Sequence, residues 1–477
     1  MSDSILVIGG GIAGINCAMN AAKYGTKVYL IDDTPSIGGM MARLDKTFPT
    51  NDCSICIEAP QMYEVDNHEN IEILTNTEVR KVKKVNGTFK VKLIQKAKYV
   101  DEQKCTGCGA CVEACPVSVP DPLDGKVGGM RKLVSMAFPQ AVPNVVTVDP
   151  SCRFGEMRKD GACIGDCAVD CSQCRECPIA LCVKACEKEG KKAITLWQSN
   201  KKLDLEVKSI VVSTGIKNAP PAGDLLGYDK FENVITNTEF ERLMNAGGPT
   251  SGEIIRPSDK THAKKIAWIQ CAGRGLADGK GTPYCSKICC MVSAKQTIIT
   301  KEHDAAVETT IFYNDLKAYG KGFWEFYRKA NENGVRYVRG RPYEVFEDPQ
   351  TQNLTLRYEN LDTGEVQTHE VELLVLATGI MATLAAILLI TGYAKGGGQH
   401  VAGLKIGGRM TVEVFPLIVF AFICAGMIQT LIPQEVISKW VGAESGWTDV
   451  AVSLGDFLPP SLRPRLDDVL RPSATRA

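Results

Sequence analysis

Histidine is scarce in this chain, five in 477 residues, too few to make imidazole-based metal chemistry the leading idea. Net charge is missing too. Lys+Arg and Asp+Glu each number 55, which excludes a strongly basic nucleic-acid binder held by phosphate neutralisation. No signal-peptide pattern precedes the first strand-like segment, because Met1-Ser2-Asp3-Ser4 runs directly into it. An exported disulfide scaffold is therefore not expected. With 44% apolar and 23% charged residues, bulk disorder is excluded as well. At about 100–200 residues per domain, the length predicts roughly three domains.

What is abundant is cysteine. There are twenty, and fifteen fall in three tight groups: four at 105–115, eight at 152–186 and three at 285–290. In a long chain without export features, this density points to metal binding or redox chemistry.

Ser4–Ile8 reads as a buried parallel strand. Gly9-Gly10-Gly11-Ile12-Ala13-Gly14 opens an amphipathic helix to about Tyr24, and Thr26–Ile31 is a second strand ending at Asp32. This is a βαβ unit with Gly9, Gly11 and Gly14 at the G-x-G-x-x-G positions. Gly9 makes the tight turn, Gly11 admits a pyrophosphate to the backbone N–H groups, and Gly14 lets helix and sheet approach. The pyrophosphate would rest on the positive helix end, with Asp32 accepting the ribose hydroxyls. FAD and NAD are not separated by this unit alone. Gly38-Gly39 soon after the acid, and strands ending Val211-Val-Ser-Thr-Gly215 and Leu376-Ala-Thr-Gly379, suit a flavoprotein with two dinucleotide domains. FAD is the expected cofactor; a glycine-rich turn in an ordinary α/β domain is the plainer alternative.

Cys105-x2-Cys108-x2-Cys111-x3-Cys115-Pro116 wraps three thiolates round one cubane face and sends the fourth to a neighbouring cluster. A zinc knuckle is the rival. The next block, Cys152, Cys163, Cys167, Cys171, Cys174, Cys177, Cys182 and Cys186, is less regular. Cys171, Cys174 and Cys177 could serve one cluster, and Cys177-x4-Cys182-x3-Cys186 is a competing frame. A two-cluster module would draw Cys105, Cys108, Cys111 and a late cysteine into one cube, with Cys115 joining the other. Eight exceed the four still required, so several are spare or a third cluster exists.

Lys264–Ile269 reads as a strand, and Gln270-Cys271-Ala272-Gly273 follows where a second dinucleotide turn would come, without its glycine pattern. Cys271, Cys285, Cys289 and Cys290 could hold a further cubane there. An incidental buried pair at 289–290 fits the spacing equally well. Cys53-x2-Cys56 could be a redox pair or a ligand half-site; a loop packed near the flavin is preferred. Cys17 and Cys424 read as packing residues. No side chain stands out as a general acid or base.

These motifs occur together with Leu44-Asp-Lys-Thr-Phe-Pro-Thr-Asn-Asp-Cys53, Phe138-Pro-Gln-Ala-Val-Pro143, Val234-Ile-Thr-Asn-Thr-Glu-Phe-Glu241, Arg256-Pro-Ser-Asp259, Ile269-Gln-Cys271 and Tyr284-Cys-Ser-Lys-Ile-Cys-Cys-Met291. In combination they make residues 1–380 resemble the FAD- and iron–sulfur-containing A subunit of heterodisulfide reductase and its bacterial relatives. The resemblance implies an α/β, Rossmann-type flavoprotein of the thioredoxin-reductase kind, interrupted by an α+β ferredoxin-like module. It implies an oxidoreductase that passes electrons between FAD and two or three [4Fe–4S] clusters, with flavin-based bifurcation in some members. It also implies that Cys271, Cys285, Cys289 and Cys290 bind a cluster, leaving no pyridine-nucleotide site in the second half. The expected partners are other subunits of an electron-transfer complex, among them a ferredoxin or a hydrogenase or dehydrogenase subunit.

The layout read from all this is a first FAD-domain part at 1–98, the [4Fe–4S] module at 99–196, the rest of the flavoprotein at 197–380, and a different segment at 381–477. That last segment departs from the family. Val414–Ile432 has nineteen residues without charge, just enough at about 1.5 Å per residue to cross a hydrocarbon core of about 30 Å. A membrane-inserted helix is expected, with a buried core helix as the alternative. Lys395, Lys405 and Arg409 on its N-terminal side would keep the redox domain cytoplasmic. From Pro459 the tail reads as disordered. The seam after Gly379 is expected of two joined gene models more than of a natural fusion. Two competing functions follow: a zinc-stabilised scaffold without redox chemistry, or a truncated product with impaired FAD binding.

Overall fold

The computed structural model describes residues 4–121, 124–149, 181–195, 198–218, 224–274 and 284–381. The chain divides into two compact units, Met1–Met381 and Ala382–Ala477. The second unit lies outside the described residues, and with it the helix expected at 414–432. Among the described residues, no helix is long and apolar enough to cross a membrane.

The first unit builds one architecture twice. Strand β1 (Ser4–Ile8), helix α1 (Ile12–Lys23) and strand β2 (Lys27–Ile31) form the expected unit. Helix α2 (Ser54–Asp66) and strands β3 (Ile71–Leu74), β4 (Thr77–Val85) and β5 (Thr88–Gln95) follow. Leu6 of β1 faces Val91 and Leu93 on one side, while Val7 packs with Ile15 and Ala18 of α1 on the other. A strand covered on both faces must be apolar throughout, which explains its unbroken Ile-Leu-Val-Ile run.

The chain then leaves the domain. It forms the short helices α3 (Ala110–Glu113) and α4 (Leu181–Lys188), which pack together over a core that includes Val117, Val134, Val146, Cys111, Cys115, Cys182 and Cys186. It returns as β6 (Lys201–Val207), whose Lys201 pairs with Gln95. Exit and re-entry thus lie side by side in one antiparallel ladder, so the excursion leaves the host sheet intact. Strand β7 (Ser209–Val212) completes the first parallel sheet, in the order β7-β1-β2-β3.

The second domain follows with β8 (Val234–Thr236), α5 (Asn237–Met244), β9 (Lys265–Ile269), α6 (Cys289–His303), β10 (Glu308–Tyr313), α7 (Phe323–Glu332) and β11 (Arg336–Arg339). The meander β12 (Pro342–Glu347), β13 (Leu354–Asn360) and β14 (Glu365–Val371) precedes β15 (Leu373–Leu376). The parallel order is β8-β15-β9-β10-β11. Alternate residues of β9 face opposite layers: Ile266 and Trp268 meet the helices, Ala267 and Ile269 the meander. By position β9 corresponds to β1, and α6 to α1.

Candidate flavin and iron–sulfur sites

At the head of α1, Gly11 is the N-cap with no side chain capping it, and the first turn carries no acidic residue. Its N–H groups are therefore open to an anion. Gly9 has φ +105°, and a Cβ on Gly14 would fall 1.9 Å from the Gly9 carbonyl oxygen. Only glycine fits there. Gly38 N–H donates to Gly10 O at 2.8 Å and Gly11 pairs with Gly38, while a Cβ on Gly39 would sit 2.9 Å from Gly11 Cα. The structure thus brings Gly9, Gly11, Gly14, Gly38 and Gly39 into one cradle. Asp32 lies beside it with a task the sequence did not reveal: it braces the turn. Its Oδ2 accepts the Gly10 N–H at 2.7 Å, and its Oδ1 accepts Thr34 N–H and Oγ1–H at 2.9 and 2.6 Å. A carboxylate has lone pairs left for a ribose.

The connection from β2 to α2 folds back on itself, with Lys46 paired to Cys53, and reaches into the second domain. Asn245 Nδ2 donates to Leu44 O at 2.8 Å, Lys295 Nζ donates to Lys46 O at 2.8 Å, and Lys46 pairs with Glu302 at 3.0 Å. Phe48 packs against Phe323 and Phe326. Lys295 is itself buried and paired with Glu241 at 2.7 Å. No spacing in the sequence signals these docking contacts. The preferred loop reading of Cys53 and Cys56 also needs correcting: Cys53 is the N-cap of α2 and is disulfide-bonded to Cys56.

This connection and the helix α2 that it leads into carry several orphaned polar atoms. Asp45 Oδ2, both side-chain amide atoms of Asn51, Ser54 Oγ and both carboxylate oxygens of Glu58 are buried without a partner. Such groups call for one, and an uncapped helix N-terminus beside a glycine cradle fits a polar dinucleotide. Glu58 is completely buried, and burial pushes its carboxyl up to about 8.

In the module, Cys105, Cys108, Cys111 and Cys186 line one small pocket. Burial raises Cys111 to about 12, and the nearby Cys186 and Cys105 sulfurs add to this. Ala193 N–H donates to Cys186 Sγ at 3.2 Å. The Cys115 thiol instead donates to Val117 O at 3.5 Å. Cys111 lies on α3 and Cys115 just beyond its C-terminal end, while Cys182 and Cys186 stand one turn apart on the packed partner helix. Cys171, Cys174 and Cys177, like Cys152, Cys163 and Cys167, lie outside the described residues. Four converging thiols with a buried set behind them are a donor chemistry that fits an iron–sulfur cluster.

The second cysteine site lies at the C-terminal end of β9, flanked by β15 and β10. This is the topological switch point where an α/β sheet binds ligands. Cys271, Cys285 and Cys289 line a pocket with Arg274, Thr378 and Gly379, and Cys289 and Cys290 open α6. Burial raises Cys271, with Cys290 and Cys285 contributing. The Cys289 thiol donates to Cys290, which lifts Cys289 and lowers Cys290; the Lys317 N–H and ammonium lower Cys290 further. The four sulfurs are close enough to feel one another. Among the described residues, no group of three His, Cys, Asp or Glu side chains is placed to hold a single metal ion. Cys17 is half-buried on α1, beside the first core.

A family model described as FAD dependent oxidoreductase matches residues 4–52, and one described as 4Fe-4S binding domain matches residues 98–121. The cofactors they name, FAD and [4Fe–4S], are those the two sites fit. The chain is 42% identical over 383 residues to the A subunit of the H2:CoB-CoM heterodisulfide, ferredoxin reductase of Methanothermobacter marburgensis, covering 80% of this chain and 54% of the relative. It is 42% identical over 380 residues to the iron–sulfur A subunit of the CoB–CoM heterodisulfide reductase of Methanocaldococcus jannaschii, covering 79% and 53%. The chain thus spans about half the length of these relatives. A thioredoxin reductase structure from Lactococcus lactis matches at a TM-score of 0.39 and 12% identity, over 81% of either chain, a likeness too loose to speak to function. Over about four-fifths of its length, the chain is similar to the A subunits of CoB–CoM heterodisulfide reductases.

Proposed function

We propose that the chain is the electron-transfer subunit of a heterodisulfide-reductase-like oxidoreductase complex, moving electrons between FAD and [4Fe–4S] clusters. One observation carries this reading. Two dinucleotide-type domains share an architecture, yet the first places a glycine cradle and the second four cysteines at the same point of the sheet. On this reading a site for a two-electron cofactor and a site for a one-electron cofactor would occupy equivalent positions. FAD, when bound, supplies the conversion between electron pairs and single electrons.

Gly9, Gly11, Gly14, Gly38 and Gly39 would hold it, with Asp32 bracing the turn. Cys105, Cys108, Cys111 and Cys186 would hold one cluster. Cys115 and Cys182 would serve a second, and Cys271, Cys285, Cys289 and Cys290 would hold a third. The burial of Cys111, Cys289 and Cys290 keeps water from the sulfurs, which is one lever on cluster potential. The electron donor and acceptor would be separate subunits docking on this chain; a ferredoxin is one candidate.

The test is an anaerobic reductive titration followed by visible and electron paramagnetic resonance spectroscopy. Electrons added through the flavin should appear in the clusters within the same molecule. Flavin and clusters that titrate without exchanging electrons would refute the relay.

A further inference from the structure

We propose that Cys53 and Cys56 form a reversible two-electron dithiol/disulfide couple that exchanges electrons with the flavin of its own domain, beside the one-electron route through the clusters. The proposal rests on the flavin reading above for its electron source alone.

The bond is singular in its setting. Among the described residues, Cys53–Cys56 is the one disulfide. It joins residues only three positions apart, so it removes little freedom from the unfolded chain and stabilises the fold less than a wide loop closure would. A structural purpose is weak. A chemical one fits the placement. Cys53 is the N-cap of the thirteen-residue helix α2, and its sulfur accepts the Cys56 N–H at 3.3 Å. That N–H and the positive helix end would stabilise a thiolate on Cys53 once the bond opens. Cys56 is exposed and open to a reagent or a partner thiol.

The same helix reaches the flavin cradle: a Cβ on Gly38 would lie 3.2 Å from Met62 Sδ. Two orphaned polar neighbours, Ser54 Oγ and the Glu58 carboxyl, are buried on α2 as well. The preceding hairpin is anchored to the second domain through Lys295 and Asn245, so the pair sits at the head of a fixed element.

The step balances without another reagent. The reduced flavin anion gives up two electrons and one proton, and the sulfur–sulfur bond breaks. The Cys56 sulfur takes the proton, the Cys53 sulfur remains as the capped thiolate, and the flavin returns to its oxidised form.

The test uses the full chain, purified anaerobically with its cofactors. It is equilibrated with mixtures of reduced and oxidised dithiothreitol, alkylated in acid, digested and weighed. The Cys53/Cys56 peptide should pass from one-tenth to nine-tenths reduced over about a hundredfold change in the dithiol ratio, as two exchanging two-electron couples require. In a second arm, photoreduction by one two-electron equivalent should yield two new thiols in that peptide, and in Cys56→Ser the same two electrons should be found on the flavin and clusters, with no new thiol formed. Cys53→Ser and Cys56→Ser should each keep the full iron content. A bond that resists hundredfold excess dithiol would overturn the proposal, as would thiol formation independent of flavin reduction. Loss of about four irons in either variant would also overturn it, because the pair would then be a cluster half-site. A chain whose Cys53–Cys56 bond opens reversibly but that retains no FAD would refute the flavin relay above and this electron source with it.

Discussion

Replacing Cys186 by serine is expected to cost the chain about four irons and four sulfides while FAD stays bound. A [4Fe–4S] cluster is held by four thiolates, and a serine hydroxyl is a hard, poorly matched substitute for a soft ligand. Cys186 comes seventy-five residues after Cys111, yet it lines the same pocket as Cys105 and Cys108 and raises Cys111 through its charge. Cys108→Ser should therefore abolish the same paramagnetic signal. Cys115→Ser should remove a different one, because its thiol points to Val117 O. Iron and sulfide assays with spectra of each variant decide this. A Cys186→Ser chain that keeps its full iron, or that loses the signal lost in Cys115→Ser, would show the assignment to be wrong.

The second large effect concerns Glu58. Its carboxyl is completely buried, has no partner and is pushed up to about 8 from an ordinary 4.5. Between those values the unfolded chain has released the proton and the folded chain retains it. Stability is then fully present below the unfolded pKa and is lost as pH rises toward the folded one, by about 1.4 kcal/mol per pH unit. Over that window the loss amounts to roughly 3–5 kcal/mol. Glu58→Gln cannot ionise, so the difference between wild type and variant should grow with pH in the variant's favour. Denaturant midpoints at pH 5.5, 6.5 and 7.5 measure it, and other titrating groups cancel in the comparison. Parallel profiles would mean that Glu58 has a partner in the working protein.

The flavin unit was readable in the chain because everything that defines it is local. The strand, the Gly9–Gly14 turn, the helix and Asp32 lie within about thirty residues. The trio Cys105, Cys108 and Cys111 was readable for the same reason. Cys186 was not, because its role depends on α4 packing against α3 across the whole insertion. Glu58 gave no signal either: in Ser54–Asp66 the buried positions include Ser54 and Glu58, so its inner face lacks an apolar stripe. The standing of Cys271 and Cys289 depends on sheet order, which puts β9 between β15 and β10, and no spacing rule reports that. Cys53 became interpretable only once it proved to be an N-cap.

On the proposed reading, one chain carries a two-electron and several one-electron cofactors. Anaerobic purification with flavin, iron, acid-labile sulfide and zinc quantified on the same sample tests it most directly. Near-stoichiometric FAD is expected, with about eight to twelve irons per chain and matching sulfide, as two or three cubanes require. Zinc without sulfide, or iron and sulfide without FAD, would contradict it.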